Sequence, residues 1–439
     1  MGRIWWQMIV IVAVFAAVAT ACGSDAVEIV DGSTSQPSTT AGQTGSAVAV
    51  SVAPRLDGVG DPSVAGRAIT AFATDVFGAA RDEKSGENLT LSPTSIAIAL
   101  AMVEPGAVGD ARAQLREVLY IDDPATFHAS MNALEQNLES RTAPDYGEDG
   151  DGGELTLRIA NAAYLQQGFP FEASYLDVIG SNYGSVLNEV DFTSDPDAVA
   201  DEINEWVADQ TEQRITDLIA DGVLTPDHVL ALVNALYMNA SWLDPFPAPA
   251  TRDEPFILLD GTAVDVPLMQ GEGDTSSSGD GWVGATTDST GGLHVQFILP
   301  DQGRFDEIAD NLMAVFAAYE ERPRPGGPIG VPRFDSRTSL ELSPPLNALG
   351  LTAPYQPGNL IGIADDSRLA VDKVIHETFI AIDEEGTEAA AATAVLADLT
   401  AAPDDEPVPV ILDRPFLYRI VDGETGATLF IGQILDPTT

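Results

Sequence analysis

The most continuous apolar stretch of the chain lies at its start: Arg3 is followed by an apolar run from Ile4 to Val18, interrupted only by Gln7, and then by Ala19-Thr20-Ala21-Cys22-Gly23. A basic start, an apolar centre and small residues at the end predict an export signal over residues 1–21. From Gly23 to Pro62 the apolar periodicity disappears into Ser, Thr, Gly and Ala. Such a stretch buries too little apolar surface to offset its conformational entropy, so residues 22–62 read as a flexible tether. Periodicity returns at Ser63, which can cap a helix carrying Val64, Ala68, Phe72 and Val76 on one face. Asp110 can cap a short helix through Leu119, and Asp195-Pro196 opens another that presents Val199, Ile203 and Trp206. Strand-like runs lie at Leu155–Leu165, Val229–Tyr237, His294–Leu299, Phe379–Asp383 and Leu429–Ile434. Helices dominate early and strands late, with no βαβ alternation and no repeat of fixed period. The pattern predicts an α+β fold over residues 63–439.

Charge narrows the partners. The 439 residues hold 20 Lys+Arg against 68 Asp+Glu, a formal net charge of −48. Phosphate binding needs clustered cations, so nucleic acid and anionic headgroups are excluded as partners. The acidic, Gly-rich stretch Asp145–Glu154 lacks the ligand register of an EF-hand and reads as a solvated loop. With Cys22 alone there is no intrachain disulfide, no CxxC pair and no Cys-rich zinc site. Its position after Ala-Thr-Ala is similar to a bacterial lipobox, with Ala19 where Leu is usual, which makes Cys22 the lipid attachment point. An uncleaved anchor or an ordinary secretory peptide is the alternative. Either way the rest of the chain is exported, to the outer face of the cell membrane or beyond it.

Catalytic constellations are missing. No GxSxG elbow, SxxK dyad or phosphate loop occurs, and His376-Glu377 lacks the second histidine of HExxH. His128, His228, His294 and His376 are scattered along the chain. The chain therefore reads as a non-enzyme, with no cofactor and no metal site.

The most informative segment is Glu384-Glu385-Gly386-Thr387-Glu388-Ala389-Ala390-Ala391-Ala392-Thr393-Ala394. It resembles the hinge of inhibitory serpins, serine-protease inhibitors that trap their targets by a large conformational change. The resemblance extends over Ser63–Pro437 through Asn88–Met102, Ile203-Asn204-Glu205-Trp206-Val207, Leu232–Phe246, Pro415-Phe416 and Leu429–Gly432. It implies one domain with three β-sheets, eight or nine helices and an exposed reactive loop. A target protease cleaves the loop, the hinge inserts into sheet A as a new strand, and the acyl-enzyme is distorted before it can deacylate.

The hinge also reads physically. An inserting strand must place small or apolar groups at every second position, and from Thr387 these are Ala389, Ala391, Thr393, Val395 and Ala397. Glu388 and Asp398 fall on the opposite face, and Gly386 supplies backbone freedom at the pivot. By propensity alone, Ala389–Leu399 would be an Ala-rich helix.

The remaining assignments come from the resemblance. Ser92, Ser95, Asn234 and His376 correspond to the shutter beneath the central strands, and Trp206 to the breach aromatic at the point of first insertion. Family spacing from Glu384 places the reactive bond at Thr400 and Ala401, with Leu399 a neighbouring candidate. No Lys or Arg occurs between Lys373 and Arg414, which excludes trypsin-like targets and favours elastase-, subtilisin- or chymotrypsin-like enzymes. Pro403, Pro407 and Pro409 stiffen the far side of a long loop. The expected molecule is a monomer reaching the membrane only through its N-terminal anchor. A non-inhibitory serpin acting as a binding or carrier module is the alternative.

Overall fold

The structure is a computed structural model that describes residues 7–17, 54–58, 60–142, 155–386 and 407–439. The first half alternates helix and strand: β1 (Gln7–Ala17), α1 (Pro62–Glu83), β2 (Leu89–Leu91), α2 (Pro93–Ala101), α3 (Gly109–Val118) and α4 (Pro124–Glu139). There follow β3 (Leu155–Gln166), α5 (Ala173–Tyr183), β4 (Val186–Val190), α6 (Pro196–Gln210) and β5 (His228–Ala240). The second half is mostly strand, with β6 (Arg252–Ile257), β7 (Ala263–Glu272), β8 (Thr275–Gly279), β9 (Trp282–Ser289) and β10 (Leu293–Pro300). After α7 (Phe305–Asp310) and α8 (Leu312–Glu321) come β11 (Arg324–Pro325), β12 (Pro328–Pro332), β13 (Phe334–Glu341) and α9 (Ser343–Ala348). β14 (Leu369–Ile382), β15 (Val410–Ile411), β16 (Phe416–Asp422) and β17 (Thr428–Ile434) complete the fold.

Four helices begin with the same device. Asp61, Ser92, Asp123 and Asp195 each cap a first turn through the side chain, and each precedes a proline. Proline lacks the N–H that would be orphaned there, and its fixed φ suits the first helical position. The cap of α1 is thus Asp61 rather than Ser63, and Asp110 lies inside the first turn of α3, whose cap position is Val108. The strand expected at Phe379–Asp383 begins earlier, at Leu369, because a mixed apolar and charged stretch is covered by neighbours on both sides. The folded body also reaches back beyond Ser63, since Leu56 N–H donates to the Ser181 carbonyl at 2.8 Å.

The strands form three sheets. Sheet A has the order β13-β14-β1-β5-β3-β4, sheet B the order β11-β8-β9-β10-β16-β17-β2, and sheet C the order β15-β12-β7-β6. β5 is buried at all thirteen positions, and its period of two divides the core. Leu230, Leu232 and Leu236 join the main cluster with α2, whereas Ala231, Val233 and Ala235 face α6 with Val199, Ile203 and Val207. At the centre of sheet A, β1 pairs parallel with β5 on one side and β14 on the other. β5 and β14 therefore run in the same direction, one strand's width apart. Among the described residues no helix is long and apolar enough to cross a membrane.

Candidate functional site: the hinge and centre of sheet A

The hinge leaves the end of β14 and is tied at once to the segment that follows β5. Trp242 N–H donates to the Glu385 carbonyl at 3.2 Å and Phe246 N–H to the Glu384 carbonyl at 2.9 Å. The Trp242 indole Nε1 donates to the Asp383 carbonyl at 2.9 Å. Gly386 has φ 90°, and a Cβ there would come within 2.3 Å of the Trp242 nitrogen, so the pivot excludes any side chain. The Glu384 carboxylate, almost buried, accepts from Arg333 Nη2 at 2.6 Å and Thr251 Oγ1 at 2.6 Å. Burial raises its pKa, but these hydrogen bonds prevail and hold it below the ordinary carboxylate range. Asp383 goes the other way: burial, helped by Glu384 and Glu385, pushes it up to about 6.

Below the hinge a buried polar chain crosses the sheet. Ser92 caps α2 by accepting from Ser95 N–H at 3.2 Å, and its own N–H donates to His376 Nε2 at 3.2 Å, which places the imidazole proton on Nδ1. Ser95 Oγ donates to Asn234 Oδ1, and Asn234 Nδ2 donates to Asn161 Oδ1 at 2.8 Å. Ser92, Ser95, Asn234 and His376 are all fully buried. Asn234 on β5 and His376 on β14 both align with Ala13 of β1, so they face each other across the central strand position. Buried polar groups must be paired, and here the pairing fastens α2 to the two strands that flank β1. Asn161 belongs to this set and was not anticipated. It lies in phase with Leu157, Ile159 and Ala163 on the core face of β3, and a polar residue in the apolar phase of a strand is the signal that marks it.

Trp206 is not part of this constellation. It sits on α6, partly buried against the cluster around Ile203 and Val207. The indole at the hinge is Trp242, 3% exposed and edge-on to Phe246 at 5.9 Å. Helical spacing gave Trp206 an inward face, but that face covers the sheet rather than the point where the hinge departs. On the far side of the loop, Val408 N–H donates to Ser276 Oγ at 3.1 Å and β15 pairs parallel with β12 in sheet C. Thr387, Glu388, Ala389–Thr393, Leu399, Thr400, Ala401 and Cys22 lie outside the described residues.

The chain's sequence and fold have counterparts. The model of the serpin (serine protease inhibitor) family matches residues 67–437, and the chain belongs to that family. It is 33% identical over 382 residues to an uncharacterised serpin-like protein of Thermococcus kodakarensis, covering 84% of this chain and 85% of that one. It is 30% identical to alpha-1-antiproteinase F of Cavia porcellus, covering 85% and 91% of the two chains. A solved structure of thyroxine-binding globulin in complex with thyroxine superimposes with a TM-score of 0.71 at 25% identity, covering 85% of this chain and 99% of that one. The α+β serpin fold is therefore established, and with it, at family level, protease inhibition rather than catalysis.

Proposed function

We propose that this serpin is an inhibitory one, a suicide substrate whose cleaved loop enters sheet A between β5 and β14. The observation that carries the reading is the hinge. Gly386 leaves β14 at the end where β5 also finishes, and the sequence beyond it keeps small residues at every second position from Thr387 to Ala397. A strand turning back from Gly386 runs antiparallel to β14 and meets Asn234 and His376 on its way. Large or charged groups at those alternate positions would have to be buried in the core, at a cost of several kcal/mol each. β1 lies between β5 and β14 and falls within the export signal, so cleavage ahead of Cys22 would remove it and leave that position to the loop.

The reactive bond in this reading is Thr400–Ala401, with Leu399 beside it, and the partners are elastase-, subtilisin- or chymotrypsin-like proteases. A protease pocket carrying a carboxylate finds no cation between Lys373 and Arg414. Cys22 carries a lipid that holds the inhibitor on the outer face of the cell membrane, and Cys22→Ser abolishes detergent partitioning. The carrier reading draws on the likeness to thyroxine-binding globulin and on a cleft of about 300 Å³ lined by Leu258, Leu259, Phe305 and Arg414. Incubation with a protease panel followed by denaturing electrophoresis separates the two. A complex that survives boiling, with cleavage between Leu399 and Ala402 by mass spectrometry, supports inhibition. Cleavage without a complex supports the carrier, and rapid complex formation with trypsin overturns the bond assignment.

A further inference from the structure

Glu135 lies on the apolar face of α4 beside Met131, Leu134 and Leu138, and it is completely buried. A carboxyl group in that position needs partners, and it finds them on two different elements. Arg55 Nη2, from the segment ahead of α1, donates to Glu135 Oε2 at 2.8 Å, and Asn161 Nδ2 donates to the same oxygen at 3.0 Å. Asn161 is the inner residue of the polar chain that continues through Asn234 to Ser95. An unbroken line of hydrogen bonds thus runs from Arg55 at the surface through β3 and β5 to α2.

Arg55 is held for this task. Its Nε donates to Asn132 Oδ1 at 2.9 Å, and its side chain packs over Gly184, where a Cβ would come within 2.8 Å of Arg55 Cδ. The Leu56 carbonyl accepts from Asn132 Nδ2 at 3.0 Å and Gln136 Nε2 at 2.8 Å, and Gly58 N–H donates to Gln136 Oε1 at 3.0 Å. The segment is laced to α4 and α5 along its described length.

We infer that Arg55 is a positioning residue that sets how firmly β3 and β5 are held beside the central strand position of sheet A, acting through Glu135 and Asn161 on Asn234. While Arg55 is docked, Glu135 Oε2 is fixed as an acceptor, Asn161 is oriented, and Asn234 stays bonded to both Asn161 and α2. With Arg55 withdrawn, the line loses its outer anchor, and β3 and β5 are less firmly fastened to α2. The inference rests on the reading that the strand between β5 and β14 is exchangeable, β1 standing in this structure where the loop would enter. It ties that exchange to the very end of the chain from which the tether departs.

The groups facing Glu135 are Arg55 from the N-terminal segment, Glu139 on α4, Tyr183 on α5 and the Asn161 amide on β3. Burial pushes the Glu135 carboxyl up to about 8, with Glu139 adding to the rise and Arg55 opposing it. Removing Arg55 therefore matters most in alkaline solution, where the carboxylate would otherwise be ionised and paired.

The test is hydrogen exchange, followed by mass spectrometry on the full chain, comparing wild type with Arg55→Ala, Arg55→Lys and each in a Glu135→Gln background. Arg55→Ala should speed exchange in β3 and β5 by roughly tenfold while leaving β16 and β17 unchanged. The ratio to wild type should rise between pH 6 and pH 9, Arg55→Lys should recover part of the effect, and Glu135→Gln should suppress it. Exchange faster only in residues 54–60, α4 and α5, or an effect of equal size in the Glu135→Gln background, overturns the inference. No protease enters this experiment, so failure of the inhibitor reading, judged by covalent complexes, is recognised separately.

Discussion

Sheets A and B are built from similar residues and differ in how their strands are joined. In sheet B, β8, β9 and β10 follow one another in the chain and pair antiparallel, as do β16 and β17. Every residue of β16 and β17 is buried, and Phe416 meets Phe256, Phe297 and Phe334 edge-on at ring distances of 5.8–6.5 Å. The middle of sheet A has no such hairpins. Among the described residues, β5 and β14 are parallel, distant in sequence, and joined there only through a third strand. Hairpins bind neighbours through the chain itself, so sheet B cannot part without unfolding. The centre of sheet A has only side-chain fastenings and ladder bonds to lose, and on the inhibitory reading a strand comes or goes there while its neighbours keep their places.

Four substitutions or titrations sharpen this contrast. Phe416→Ala, in the fixed sheet, should cost about 3–5 kcal/mol of stability in urea unfolding, with the surviving folded molecules as inhibitory as before. A loss of inhibition without loss of stability would mean that sheet B also moves. Next in size, Thr387→Arg should convert inhibitor into substrate, because burying an unpaired guanidinium at about 3 kcal/mol slows insertion roughly a hundredfold. Gels would then show cleaved serpin with little complex, and an unchanged yield of complex would exclude insertion at this register. Asn234→Ala removes one hydrogen bond each from Ser95 Oγ and Asn161 Oδ1, a loss of about 1–3 kcal/mol visible as a lower thermal midpoint. An unaltered midpoint would show that the polar chain does not fasten the sheet.

The smallest effect is a titration. Because burial raises Asp383 to about 6, the folded hinge holds this proton more tightly than the unfolded chain does. Its contribution is complete below the ordinary aspartate value of about 3.8 and is lost as the pH rises through the folded value. Exchange at the hinge amides, corrected for intrinsic rates, should therefore quicken from about pH 4 to pH 7, and Asp383→Asn should flatten the profile.

Much of the fold was legible because it is written in local signals. The Asp195-Pro196 start and the strand-like runs of β3, β5 and β17 each fix an element without reference to the rest. The hinge was named through a family resemblance; of it, Glu384 and Gly386 lie among the described residues, and the spaced alanines beyond do not. Trp242 and Asn161 were not legible, since their roles depend on which distant strand lies beside them. Trp206 was assigned through the resemblance, and its helical spacing says only that a face is covered, not by what. Glu135 shows the same limit: a lone acid on an apolar helix face announces a partner, and only the packing of residues 54–58 identifies Arg55.

The indole of Trp242 has a spectroscopic consequence. Its ring is shielded from water and its nitrogen is bonded to the Asp383 carbonyl, so its emission belongs to the blue end of the tryptophan range while the hinge is in place. Departure of Asp383 would expose that nitrogen to solvent and move the emission to longer wavelength. Trp282, stacked on Tyr319 in the sheet that stays closed, should keep its colour throughout. The protein thus contains both a gauge of hinge release and a standard to read it against, with no label attached.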